Sequence, residues 1–336
     1  MAQHFYWIDN VKAICMIGVY LLHSEVYYGY GNVQYGVFFT PFYVNGFFFV
    51  SGYLLFRKLL NASILTWRGY FKILQNAVFR LMIPSIIFSA VMFMPKMLFH
   101  STEINVHSFM VNVLGGVSYW FTSALFVAQV ALLTLIALLK RNDIWCYLLC
   151  SILLFILGWY LNYVRTDIGA EAFFPWFWKT GIEYTLLMTF GGVYMKYENR
   201  INALSRYFLP VAALIYVAAM AMSLNGAIFL VMGLGGRCSV EGGLLILAGV
   251  SLIVAICHVI KENYIMSFIG RNSIVFYFLS GVFPAFVGML ARRCVPDCNY
   301  VVTIAVAMLS LICSLFAAMI IERYLPFIID IRKLKR

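Results

Sequence analysis

A membrane-crossing helix needs about 20 mostly apolar residues, and this sequence supplies ten such runs. They lie at 10–28, 36–56, 78–99, 118–139, 143–163, 181–197, 206–224, 242–260, 272–290 and 301–323. The runs leave too little polar chain between them for a soluble domain. Composition agrees: 64% of the residues are hydrophobic and 11% charged, with a mean hydropathy of +0.91. A soluble protein of this length sits nearer half apolar and a quarter charged. The two-residue alternation of a membrane β-barrel is absent. The expected fold is therefore all-α, a polytopic membrane bundle of about ten helices forming a single domain over residues 1–336.

The net charge of +11 could suggest a nucleic-acid partner, but the basic residues cluster between apolar runs, as in cytoplasmic loops. With the N-terminus inside, the inner segments hold Arg57, Lys58, Arg68, Lys72, Arg80, Lys140, Arg141, Lys196, Arg200, Arg206, Lys261 and Arg271, and the basic residues from Arg323 onward. Those are 17 of the 24 basic residues, against six outside: Lys96, Arg165, Lys179, Arg237, Arg292 and Arg293. Both termini are expected in the cytoplasm, with Arg292 and Arg293 dissenting. Most cysteines (Cys15, Cys146, Cys150, Cys257, Cys313) fall inside apolar runs and read as small buried hydrophobes. Cys294 and Cys298 share a short loop and could pair in an oxidising compartment. No Cys or His spacing suggests a metal. The N-terminal residues lack the basic region and cleavage site of a removable signal peptide. The glycine-rich stretch 232–243 reads as a loop rather than a nucleotide fingerprint.

The first run is unusual because it is charged. Asp9, Lys12, Met16, Tyr20, His23 and Tyr27 follow three- and four-residue steps, so they share one helical face. Lys12 and His23 are three turns apart, about 16 Å of rise. Lysine could snorkel to the interface and the histidine could simply pack. However, ionisable groups in a span usually line a cavity or pathway, and Asp9 and Tyr20 join the same stripe. Glu25 falls off it.

The spacing of Asp9, Lys12 and His23 resembles the opening of the acyltransferase-3 family of integral membrane acyltransferases, particularly the bacterial sugar O-acetylase and exopolysaccharide-modifying branch. The family has an acidic residue, a basic residue, commonly Arg, and a histidine. Lys12 keeps the charge but not the planar fork of arginine. The resemblance extends to Ser51, Gly52 and Tyr53 in the second run, and to Arg80 and Pro84. The family often adds an Arg just upstream, where this chain has Asn76 and Ala77, and Lys72 is a candidate substitute. It continues through Trp120 and its aromatic neighbours, and through Gly270, Arg271, Asn272, Ser273 and Tyr277. The family's histidine after that last segment is here Ser280. Each match has a plainer reading: close helix packing for Gly52, a positive-inside anchor for Arg80, an interfacial belt for Trp120. Glu183, within the sixth run, is a candidate to line the same cavity.

The resemblance implies transfer of an acyl group, acetyl above all, from cytoplasmic acyl-CoA to a hydroxyl of a surface or lipid-linked glycan in the bacterial inner membrane. The acyl-CoA is a co-substrate, with no bound cofactor. It implies His23, with Asp9, at the chemistry, and Lys12, Lys72, Arg80 and Arg271 toward the donor. Tyr20, Ser51, Tyr53, Trp120, Glu183 and Asn272 would line the substrate cavity. The rival is a polysaccharide or lipid-linked sugar exporter, or a proton-coupled carrier using the Asp9–His23 stripe, though no inverted halves are visible. A non-catalytic scaffold is a further alternative.

Overall fold

The computed structural model describes residues 5–29, 33, 36–39, 41–60, 66–100, 104–139, 143–164, 175–224, 240–330 and 332. Among them the chain is helical, with no strand. Lys140, Arg141, Arg165, Arg237 and residues 232–239 of the glycine-rich stretch lie outside the described residues.

The first run forms one helix, α1 (Tyr6–Ser24), continued by a π-helical turn over Glu25–Gly29. The second expected span is two helices, α2 (Gly36–Phe39) and α3 (Asn45–Leu60), parted by a turn that begins at Pro41. Proline disfavours helical backbone in the residue before it, so an apolar run can break there. The third span begins earlier than expected: α4 (Trp67–Ala77) leads through a π-turn at Val78–Met82 into α5 (Ile83–His100). Next come α6 (Val106–Phe109), another π-turn at Met110–Leu114, α7 (Trp120–Leu139) and α8 (Ile144–Tyr163). A short turn at Pro175–Phe177 leads into α9 (Trp178–Ala203), followed by α10 (Ser205–Leu224) and α11 (Val240–Val259). The chain closes with α12 (Tyr264–Arg271), α13 (Ser273–Leu279), α14 (Phe283–Cys294), α15 (Tyr300–Tyr324) and α16 (Pro326–Ile329).

Among the described residues, four helices are long and apolar enough to cross a membrane: Trp67–Pro95, Trp120–Leu139, Ile144–Asn162 and Tyr300–Tyr324. A fifth arises if α13 and α14, bent by 44°, form one broken span.

The chain divides into two compact units, Met1–Phe47 with Asn199–Tyr324, and Phe48–Glu198 with Leu325–Arg336. In the first, α1 is the hub, packing on α2, α11, α12, α13, α14 and α15. Its crossing with α12 is backbone to backbone: a Cβ on Gly270 would lie 2.2 Å from the Asp9 carbonyl oxygen. The π-turn after α1 is tied down at Tyr28, whose hydroxyl donates to the carbonyls of Val295 and Asp297, each at 3.2 Å. The Tyr28 carbonyl accepts the Cys298 thiol at 2.8 Å and Arg292 at 3.4 Å. Arg292, one of the two dissenters in the charge pattern, is thus folded back against the π-turn that follows α1. Cys294 and Cys298 are both free thiols.

In the second unit, α3 and α9 cross at glycines. A Cβ on Gly52 would meet the Met188 carbonyl oxygen at 1.9 Å, and one on Gly191 the Phe49 carbonyl oxygen at 2.0 Å. Hydroxyl pairs join other helices, Ser85 with Thr122 at 3.0 Å and Ser151 with Thr189 at 2.6 Å. Lipid chains are as apolar as leucine, so close contact and such interhelical hydrogen bonds must hold the helices together.

Candidate active site

The candidate residues fall in both units. In the first, α1 carries its charged stripe without interruption from Asp9 to His23. Asp9, Met16 and Tyr20 are buried, Lys12, His23 and Tyr27 are half-buried, and none of the six is exposed. The stripe therefore faces protein, as its polarity demands. His23 occupies the last turn of α1, with its ring stacked on Tyr27 at 6.1 Å and an interplanar angle of 15°. Tyr20 lies a turn below, its hydroxyl 3.0 Å from the Phe276 carbonyl and 2.5 Å from the Ser314 hydroxyl. That hydroxyl is satisfied within the core, so Tyr20 presents only ring carbon to the apolar cleft it lines with Ile17, Leu21, Phe39 and Met308.

Glu25, just beyond His23, accepts the backbone N–H of Gly36 at 2.7 Å, a bond that holds the start of α2. Arg271 is exposed, with its Nε on the Ser267 carbonyl at 3.2 Å. Asn272 sits at the α12–α13 junction, and its amide donates to Glu322 at 3.2 Å. His258, at the end of α11, stacks on Trp7 at 4.7 Å.

In the second unit, Ser51, Gly52 and Tyr53 run through the α3–α9 crossing, with Ser51 half-buried and Tyr53 fully buried. The Tyr53 hydroxyl donates to Glu198 at 2.7 Å and accepts from Arg57 at 2.8 Å. This three-membered network was not foreseen. Arg57 follows Tyr53 by one helical turn and could have been paired with it from spacing. Glu198 comes from 145 residues away and carries no such signal. Tyr53→Phe is expected to lower stability by about 1–2 kcal/mol, because the half-buried Arg57 and Glu198 lose the hydroxyl that links them. Thermal unfolding of the detergent-solubilised protein checks it, and an unchanged midpoint would show the network to be idle.

Lys72 and Arg80 are exposed on α4 and the following π-turn. Trp120 opens α7, half-buried and edge-on to Phe177 at 6.3 Å. Glu183 is half-buried on α9 and accepts the Asn162 amide at 3.0 Å. Among the described residues no group of three His, Cys, Asp or Glu is placed to hold a metal ion.

An inward-facing charged stripe ending in histidine thus runs along the hub helix of an apolar helical protein. A family model described as an acyltransferase domain matches residues 5–323, nearly the whole chain. The chain belongs to the acyltransferase-3 family. No curated protein and no solved structure matches it. Membership and the apolar helices together make the protein a multi-pass membrane acyltransferase. As a member of the acyltransferase-3 family, it carries Asp9, Lys12 and His23 on one unbroken helix inside the matched region.

Proposed function

We propose that this acyltransferase moves an acetyl group from cytoplasmic acetyl-CoA to a sugar hydroxyl of a surface or lipid-linked glycan, in the bacterial inner membrane with both termini in the cytoplasm. The observation that supports the reading is the α1 stripe, with a cation near one end and a histidine at the other, both half-buried. Neutral His23 takes the proton of the acceptor hydroxyl as its oxygen attacks the thioester carbonyl. The tetrahedral intermediate collapses, the C–S bond breaks and CoA leaves as the thiolate, which takes the proton from the imidazolium. General-base help of this kind contributes about 10²–10⁴-fold.

Asp9 belongs to the donor end in this scheme. Fourteen residues of continuous helix separate it from His23, about 21 Å of rise, far beyond hydrogen-bond reach. It is one turn from Lys12 and sets the charge beside it. Lys12 attracts the phosphates of the donor, as do Lys72, Arg80 and Arg271. Ser51, Tyr53, Trp120, Glu183 and Asn272 complete the proposed substrate environment.

The deciding experiment follows a labelled acetyl group in membranes containing the protein. Transfer from CoA to glycan, read as added mass on the sugar, supports the enzyme. A glycan that is transported but never modified would refute it in favour of the exporter reading. Lys12→Ala is expected to raise the KM for acyl-CoA roughly tenfold with a smaller change in kcat, while Lys12→Arg retains activity. Equal KM values for wild type and Lys12→Ala would remove Lys12 from the donor site.

A further inference from the structure

A second basic face lies on the other compact unit, and one of its members comes from the far end of the sequence. Lys72 and Asn76 are four residues apart on α4, and Arg80 comes after four more, in the π-turn. Steps of four keep these positions along one edge, each about 6 Å of rise from the next. No residue of α4 is buried, and no acidic residue stands in its first turn. Among the described residues neither Lys72 nor Arg80 forms a salt bridge.

The middle position of this edge is neutral in the sequence but not in the structure. Arg332 donates through Nη1 to the Asn76 side-chain oxygen, and its guanidinium lies 5.8 Å from the centre of the Phe79 ring. A guanidinium is therefore held between Lys72 and Arg80, where α4 has none of its own, with its charge balanced by the Asp330 carboxylate. The guanidinium is already arranged for an oxyanion: Asp330 takes it side-on, at 2.7 Å to Nε and 2.5 Å to Nη2. Arginine has five N–H donors. Asp330 takes two and Asn76 one, leaving two for a further acceptor. The Arg332 side chain keeps 39% of its surface open. Hydrogen bonding by Arg332, with the charge of Arg80 nearby, holds the Asp330 carboxyl below its ordinary value.

We propose that Arg332 joins Lys72 and Arg80 in a phosphate-binding face, and that its ligand is the phosphate-bearing nucleotide part of the acyl-CoA donor. This rests on the donor assigned under Proposed function. A CoA-type donor carries a pyrophosphate and a separate ribose phosphate, several negative charges along one extended molecule. Lys72 and Arg80 supply the attracting charge, and Arg332, balanced by Asp330, supplies the two remaining N–H donors between them. Guanidinium is the side chain best shaped to grip a phosphate at two points. The contact with Asn76 and Phe79 fixes its place before the ligand arrives. Arg332 lies 256 residues from Asn76, so a part of the chain beyond α16 completes this edge of α4.

The test measures CoA binding to the full-length protein in detergent by calorimetry, with melting temperatures as a folding control. Arg332→Ala is expected to weaken CoA binding about tenfold, with a shallower dependence on salt. Asn76→Arg, placed in the Arg332→Ala background, is expected to recover most of the loss. Equal affinity of wild type and Arg332→Ala for CoA overturns the assignment of Arg332, as does a loss that Asn76→Arg leaves untouched. Absence of CoA binding by the folded wild type overturns the donor reading itself, which separates the two failures. Vesicles rich in anionic phospholipid serve as the competing probe. If they abolish the difference between the variants at fixed CoA, the face is a lipid-headgroup site and the proposal fails.

Discussion

His23→Ala is expected to reduce acyl transfer by at least 10²-fold, the lower bound of what a positioned general base supplies, while the protein still inserts and folds. The separation of function from stability comes from where the packing of α1 resides. Val11, Ala13, Cys15 and Met16 are fully buried, and Tyr20 is held by Phe276 and Ser314. His23 is half-buried in the last turn, and alanine is the best helix former for such a place. The informative readout is label transferred from acyl-CoA to glycan in membranes, with CoA binding measured alongside. Lost transfer with retained CoA binding places His23 at the acceptor step. Full activity in the variant would sink the mechanism.

The second large effect concerns Gly52. An alanine there would put its Cβ 1.9 Å from a backbone oxygen of Met188, and backbone in the middle of a helix cannot turn aside as a side chain can. The α3 and α9 helices must separate, and overpacking of this kind costs about 1–3 kcal/mol, occasionally more. Separation also breaks the Tyr53–Glu198 hydrogen bond at the same crossing. Gly52→Ala is therefore expected to unfold at clearly lower temperature and with reduced activity. Gly281→Ala is the matched control, since a Cβ there meets nothing within 4 Å. If both variants melt alike, the glycine crossing is not what holds α3 to α9.

The helical class was legible because hydrocarbon leaves a backbone few options, and apolar runs of about 20 residues announce the choice. Breaks inside those runs were harder to read. Pro41 was visible in the sequence as a helix stop, yet the run around it was apolar enough to pass for one span. The bend between α13 and α14 has the same origin, a break inside an unbroken apolar stretch. The π-turns left no trace, because a turn closed five residues apart differs from an α-turn in geometry and not in composition.

The site divided along the same line. The α1 stripe could be read because its members are neighbours on one helix and obey a 3.6-residue period. Arg57 obeys it too, relative to Tyr53. Glu198 and Arg332 do not: each reaches its partner across 145 and 256 residues, and only folding brings such groups together. Arg292 likewise reaches the Tyr28 carbonyl across 264 residues, a contact the charge pattern did not announce.

The π-turn at Glu25–Gly29 has a consequence for how this part of the chain could vary in length. A π-turn holds one residue more than the α-turn it replaces, so it takes up a single insertion within itself. The helix before it keeps Asp9, Lys12 and His23 in phase, and Tyr28, near the end of the turn itself, is what anchors it to the 295–298 loop. A chain shorter by one residue could relax this turn to ordinary helix and shift only the residues beyond it. The end of α1 that carries His23 would thus keep its register when a residue is gained or lost within the turn.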